Sequence, residues 1–302
     1  GILVTIFALW RNAASNEVSS AQTQIASDAL MHSQRIGKAA PNAVQGNAAS
    51  FAQLQESRAM LTRDLNLLSR GGQFAGQTIP AAPGSMNKSL AAVRARWVSS
   101  DNAAGTILKM KPELTGFEKT FKQLDQLSPM LLSLSDELLT AKMQSGGSAR
   151  ELAAIGRMMM LTQRMARSSG EFLTAGGIRS ETAFQLGKDT AVFRNTVDGF
   201  LNGSAQMQLA PVRDEATRDK VVQIKNLFDT YQDLVSSVLK DLPKFTAAKA
   251  AEQSIFYENE EVRKLLTDLQ SGFRSDQDSA NIWLWVLVVS SIFTLATAGS
   301  IS

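Results

Sequence analysis

The feature that most limits how this chain folds is that it repeats itself. Ser33-Gln34-Arg35-Ile36 returns as Thr162-Gln163-Arg164-Met165, 129 residues on, with Lys38 against Arg167. The stretch Ile107–Leu114, ILKMKPEL, returns as Val238–Phe245, VLKDLPKF, 131 residues on, and Trp97 falls on Phe228. Between these, Met60, Leu61, Leu65, Leu68 and Gly71 fall on Val192, Phe193, Val197, Phe200 and Gly203 at an offset of 132. Offsets that drift so little imply one module present twice.

The module is helical. Gly 20 and Pro 7 in 302 residues are too few for a loop-rich fold, and long stretches of Ala, Leu, Gln, Ser and Lys carry a helical period rather than β alternation. Breaks fall at Pro41–Asn47, Gly71–Ser85, Met110–Pro112, Ser145–Ser148, Ala175–Ser180, Gly203–Pro211 and Asp241–Pro243. They leave segments of about 20 to 35 residues, so eight helices are expected. The predicted fold is all-α: two tandem four-helix-bundle modules, 11–144 and 149–281, joined by a turn at 145–148. At about 1.5 Å per residue, the first and last helices of this scheme reach about 45 and 57 Å, enough to cross one module each. That length predicts the modules side by side, with Gly71–Ser85, Gly203–Pro211 and the 145–148 turn at one end and the remaining breaks at the other.

Both ends of the sequence are apolar. Residues 282–302 carry no charge and open with Trp283 and Trp285, as the aromatic belt of a membrane span does; residues 1–10, GILVTIFALW, close on Trp10 and Arg11. They predict two truncated transmembrane helices flanking the modules, each continuing outside this sequence.

Composition removes whole classes of function. Cys 0 excludes disulfides and thiol chemistry, and a single histidine, His32, excludes a two-histidine metal site. Basic and acidic residues number 31 and 28 and are interspersed, so no nucleic-acid surface is expected. Gly187-Lys188 lacks the remaining residues of a phosphate-binding loop. No catalytic constellation, metal or cofactor is expected. His32 reads as a partly exposed or interface residue, and Glu258, Glu260 and Glu261 with Arg263 and Lys264 as a solvated, self-paired helix face.

The remaining candidates lie on the first helix of each module. A heptad reading puts Leu152, Ile155, Met159, Thr162, Ala166 and Ser169 on the core seam, with Thr23, Ala26, Leu30, Ser33, Gly37 and Ala40 as counterparts. Arg35 and Arg164 fall opposite that seam. There they are expected to meet a neighbouring bundle, with an anion, carboxylate or partner between like charges. Gln34, Arg35, Lys38, Arg157, Gln163, Arg164 and Arg167 form the candidate ligand or interface set.

The run Gly156-Arg157-Met158-Met159-Met160-Leu161-Thr162-Gln163-Arg164-Met165-Ala166-Arg167 resembles the sensory module shared by PilJ-type receptors and NarX-type nitrate sensor kinases. Tandem copies favour the PilJ-type receptors, the methyl-accepting chemotaxis-type transducers of type IV pilus systems. The resemblance implies the periplasmic input domain of an inner-membrane receptor, with residues 11–281 in the periplasm, working as a homodimer and controlling twitching motility. It further implies pilin subunits as partners, and a CheW-like adaptor and CheA-like kinase bound by a cytoplasmic part outside this sequence. One departure bears on the ligand. The nitrate-sensing relatives carry an arginine five residues before the motif's last arginine, where this chain has Met159 and Leu30. A small-anion sensor of a histidine kinase and a passive pilus tether are the alternatives.

Overall fold

The computed structural model describes residues 2–172 and 179–299, with side chains over 6–172 and 179–293. The Ala175–Ser180 break therefore lies almost wholly outside the described residues. The fold is all-α apart from one short hairpin: α1 (Ile2–Val44), α2 (Ala48–Arg70), strands β1 (Gly72–Phe74) and β2 (Gln77–Ile79), a 3₁₀ turn (Gly84–Met86), α3 (Asn87–Lys109), α4 (Lys111–Gln144), α5 (Ala149–Glu171), α6 (Ser180–Asn202) and α7 (Glu215–Gly299).

Among the described residues there are seven helices and not the expected eight, because one of the two repeated proline turns is not a break. Pro112 sits in the first turn of α4, where its missing N–H costs nothing, and the chain breaks before it at Met110. Its counterpart Pro243 lies inside α7, which continues unbroken for 85 residues, about 130 Å.

Two compact units result, and they divide the chain differently from the sequence repeat. One comprises residues 1–43, 48–109 and 250–302; the other, residues 44–47 and 110–249. The first is thus built from α1, α2, α3 and the C-terminal part of α7, the second from α4, α5, α6 and the N-terminal part of α7. The expectation of sequential modules placed side by side rested on terminal helices too short to serve both. α7 contributes residues to both units.

In the first unit α1 and α7 are antiparallel. Asn16 Nδ2 donates to Asn281 Oδ1 at 2.9 Å, and a Cβ on Gly37 would stand 2.7 Å from the Asn259 side chain. Small residues permit that approach: the fully covered stripe of α1 runs through Ile25, Ala26, Ala29, Ile36, Ala39, Ala40 and Ala43. Leu54, Leu61, Val93, Ile107, Leu266 and Phe273 complete the core. The second unit packs rings instead. Phe193 lies 4.4 Å from Phe228 between centroids, and Phe117 meets Phe245 edge-on at 5.4 Å. Ser148 and Glu151 form a reciprocal capping box at the start of α5, with Lys142 Nζ donating to Glu151 Oε1 at 2.7 Å. Lys244 Nζ donates to Glu113 Oε1 at 3.0 Å, so two repeat-equivalent positions meet here.

The repeat survives in the backbone. After α2, the Gly71 N–H donates to Leu67 O and the Ala82 N–H to Leu68 O, both at 2.8 Å. After α6, the Gly203 N–H donates to Gly199 O at 2.9 Å and the Val212 N–H to Phe200 O at 2.8 Å, the same two bonds in the second copy. Gly71 and Gly203 have φ of +74° and +82°, a region where a side chain is strained.

The apolar ends are the terminal stretches of α1 and α7. Ile6, Phe7, Trp10, Trp283, Trp285 and Phe293 are all exposed. Among the described residues no helix is long and apolar enough to cross a membrane, so the two expected flanking spans are not supported.

Two glycines of one hairpin test this account of the turn. A Cβ on Gly71 would stand 2.5 Å from Ile79 O, whereas one on Gly76, with φ of +80°, meets nothing within 4 Å. Gly76→Ala is expected to cost about 1 kcal/mol for its backbone angle alone, and Gly71→Ala distinctly more, as read from thermal unfolding.

Candidate functional site

Two of the candidate arginines, Arg35 and Arg164, reach a carboxylate on the next helix of their own unit. Arg164 on α5 makes a two-pronged ion pair with Asp189 on α6: Nε donates to Oδ2 at 2.9 Å and Nη2 to Oδ1. The Asp189 side chain is 1% exposed, and Gln185 Nε2 donates a third bond to it at 2.7 Å. That hydrogen bond to a carboxylate raises the Arg164 guanidinium above its ordinary value, against the desolvation that lowers it. Arg35 on α1 has a looser counterpart, Nη2 donating to Glu56 Oε2 on α2 at 3.4 Å with both side chains largely in solvent. Opposed guanidinium groups awaiting a bridging anion are thus not what the described contacts show. Each arginine already has a carboxylate.

The heptad reading erred by part of a turn. The covered stripe of α5 is Ile155, Met158, Leu161, Thr162, Met165, Ser168 and Ser169, leaving Leu152, Met159 and Ala166 half-buried at its edge. Gln34, Lys38, Arg157, Gln163 and Arg167 are exposed. Arg157 lines a groove of about 780 Å³ between α5, α6 and the turn after α6.

Sequence reasoning missed the buried charges. In the first unit Asp64 of α2 is wholly covered; Arg63 Nη2 donates to its Oδ1 at 2.9 Å, and Oδ2 has no partner. Burial pushes this carboxyl up from the usual aspartate range, opposed by Arg63 and, less strongly, His32. His32 is buried, not partly exposed, with Nδ1 3.4 Å from Ser57 Oγ. Further along α2, Arg58 grips Asp101 of α3 through Nε at 2.7 Å and Nη2 at 3.1 Å. In the second unit Arg194 Nη2 donates to Asp229 Oδ1 at 2.9 Å, and Lys225 Nζ donates to its Oδ2 at 2.7 Å. These two partners hold Asp229 below the usual carboxylate range. The acidic face of α7 is only partly self-paired: Glu260 binds Arg263, but Glu258 accepts from Arg96 of α3 at 3.3 Å. A signal for the buried acids existed, since Asp64 lies between Leu61 and Leu68, and Asp189 between Leu186 and Phe193, at helical core spacing.

The fold is thus a helical-bundle protein whose charged side chains join neighbouring helices within each unit, with an open polar groove on the second unit. The family described as type IV pili methyl-accepting chemotaxis transducer, N-terminal (PilJ), matches residues 12–131 and 141–254, and the chain belongs to it. Protein PilJ of Pseudomonas aeruginosa is 23% identical over 243 residues, which is 80% of this chain and 35% of that protein. A putative methyl-accepting chemotaxis protein, AlkN, of Alcanivorax borkumensis is 24% identical over 262 residues, 86% of this chain and 37% of its own length. The chain thus spans about a third of the length of the curated relatives it matches.

The two arginines should separate on truncation. Arg164→Ala strands a covered carboxylate with only Gln185 as donor and is expected to cost about 1–3 kcal/mol, discounted for the partial exposure of the arginine. Arg35→Ala should stay within about 0.5 kcal/mol, both read from denaturant midpoints. Asp64 gives a pH test. Its pKa is raised in the fold, so the native state binds the proton more tightly than the unfolded chain. The stability this confers is present below the unfolded pKa and is lost as pH rises through the folded one. Asp64→Asn, lacking that loss, should therefore gain in thermal midpoint over the parent protein between pH 4 and pH 7.

Proposed function

We propose that this chain is the periplasmic input domain of a type IV pilus chemoreceptor-like transducer of the bacterial inner membrane, and that it relays its signal by displacement of α1 against α7. Membership of the transducer family over both repeats supports the sensory role. The relay rests on one observation. α1 and α7 are antiparallel neighbours tied by Asn16 and Asn281, so the helix that enters the first unit and the helix that leaves it emerge together, each continuing into an exposed apolar segment. Two adjacent helices ending on apolar, tryptophan-bearing segments suit anchorage in one bilayer, where a small sliding or rotation of one past the other carries a signal across.

On this reading the protein is not an enzyme. It acts as a homodimer through the exposed Gln34, Lys38, Gln163 and Arg167 beside the ion-paired Arg35 and Arg164. It receives pilin subunits or a small ligand on the periplasmic side, and passes its state to a CheW-like adaptor and a CheA-like kinase that control twitching motility. Its self-paired arginines weigh against a nitrate-type anion held between like charges.

The chain has no cysteine, so Asn16→Cys with Asn281→Cys places a single oxidisable pair across the α1–α7 contact. In the full-length receptor, oxidation should lock kinase output or twitching in one state, and a reductant should restore the response. Output indifferent to the crosslink, or labelling that places residues 11–281 in the cytoplasm, would overturn the reading.

A further inference from the structure

The groove of about 780 Å³ on the second unit has no role in the relay just described. Its walls are the start of α5, through Arg157, the end of α6, through Asn195, Asp198 and Asn202, and the following turn, through Gln206 and Met207. The turn is drawn close by Gly199, where a Cβ would come to 3.1 Å from Leu209 Cδ1 and 3.3 Å from Ser204 Cβ. In the first unit the repeat-equivalent residue is Leu67, whose Cδ2 packs to 3.0 Å from where a Cβ on Gly72 would stand.

The groove brings unpaired charge of both signs onto one polar surface. Arg164 and Arg194 of the same unit are paired with Asp189 and Asp229. Arg157 and Asp198 carry opposite charges into one groove, and among the described residues neither takes part in an ion pair, with each other or with any other group. The side-chain amides of Asn195, Asn202 and Gln206 likewise have no partner there.

We propose that this groove binds a small zwitterion, a free α-amino acid, with Arg157 receiving the carboxylate and Asp198 the ammonium. A lone anion is repelled by Asp198 and a lone cation by Arg157. A ligand bearing both charges satisfies both, in charge-assisted hydrogen bonds stronger than neutral ones. The three amides donate and accept equally, which suits a polar uncharged side chain, and the volume fits a ligand of this size with room to spare. The assignment deepens the sensory reading by naming a ligand class, and rests on it for its purpose.

The probes are the twenty standard L-amino acids, with lactate as a carboxylate lacking the ammonium and ethanolamine as an ammonium lacking the carboxylate. Calorimetry and thermal shift on the whole chain should find at least one amino acid, a polar uncharged one, that binds and raises the midpoint, with neither control binding. Arg157→Gln and Asp198→Asn, both at positions without structural partners, should leave the circular dichroism unchanged and each weaken binding by about tenfold or more. No binding by any amino acid up to about 10 mM, lactate or ethanolamine binding as tightly as the amino acid, or an affinity unchanged in both variants would overturn the assignment. The two readings fail separately. If the Asn16–Asn281 crosslink still locks receptor output while no amino acid binds, the relay stands and the groove assignment falls.

Discussion

Much of this structure depends on α7 remaining a single helix. Pro243 removes one backbone donor and crowds the preceding turn, which in an isolated peptide favours a break. Here the packing on both sides carries the helix across it: Phe245 two residues on is covered and packed edge-on against Phe117, Val238 one turn back is covered, and Lys244 holds Glu113. Because the helix does not stop, each unit receives its fourth wall from a different stretch of it. The first three helices are completed by residues 250 onward, and α4, α5 and α6 by residues up to 249.

The two units solve the same packing problem with different materials. Alanines line α1 and bring α7 close, whereas the second unit fills its interior with phenylalanine rings and Tyr231, whose buried hydroxyl has no hydrogen-bond partner among the described residues. The charges diverged with the cores. Arg164 with Asp189 is a covered, two-pronged tie, while the repeat-equivalent Arg35 has only a surface contact, and the first unit carries its buried acid, Asp64, a full two turns beyond the serine that neighbours His32. A buried carboxylate with one oxygen unpartnered costs stability that the same position in the second unit, Thr196, avoids by bonding to the Val192 carbonyl at 2.8 Å.

This division of labour bears on function. On the proposed reading the relay needs an element with two arrangements of similar energy, and the small-residue contact of α1 with α7 offers less interlocking against sliding than a core of large rings. The ring-filled unit bears the open groove, with its unpaired Arg157 and Asp198.

The sequence by itself determined the helical class, the duplication and the positions of most turns, because these rest on local rules: apolar spacing, the scarcity of Gly and Pro, and the motif shared by Arg35 and Arg164. It also determined the family, through the run from Gly156 to Arg167. Tertiary structure decided which helices close into a unit, since the repeat-equivalent proline turns break the chain at Met110 and not at Asp241. It decided too that the two arginines face carboxylates of their own bundles, because a heptad reading carries an error of part of a turn and says nothing of what the next helix presents. The groove was hidden for the same reason. Its walls come from two helices and a turn some forty residues apart in sequence, and among the described residues no ion pair neutralises its charges.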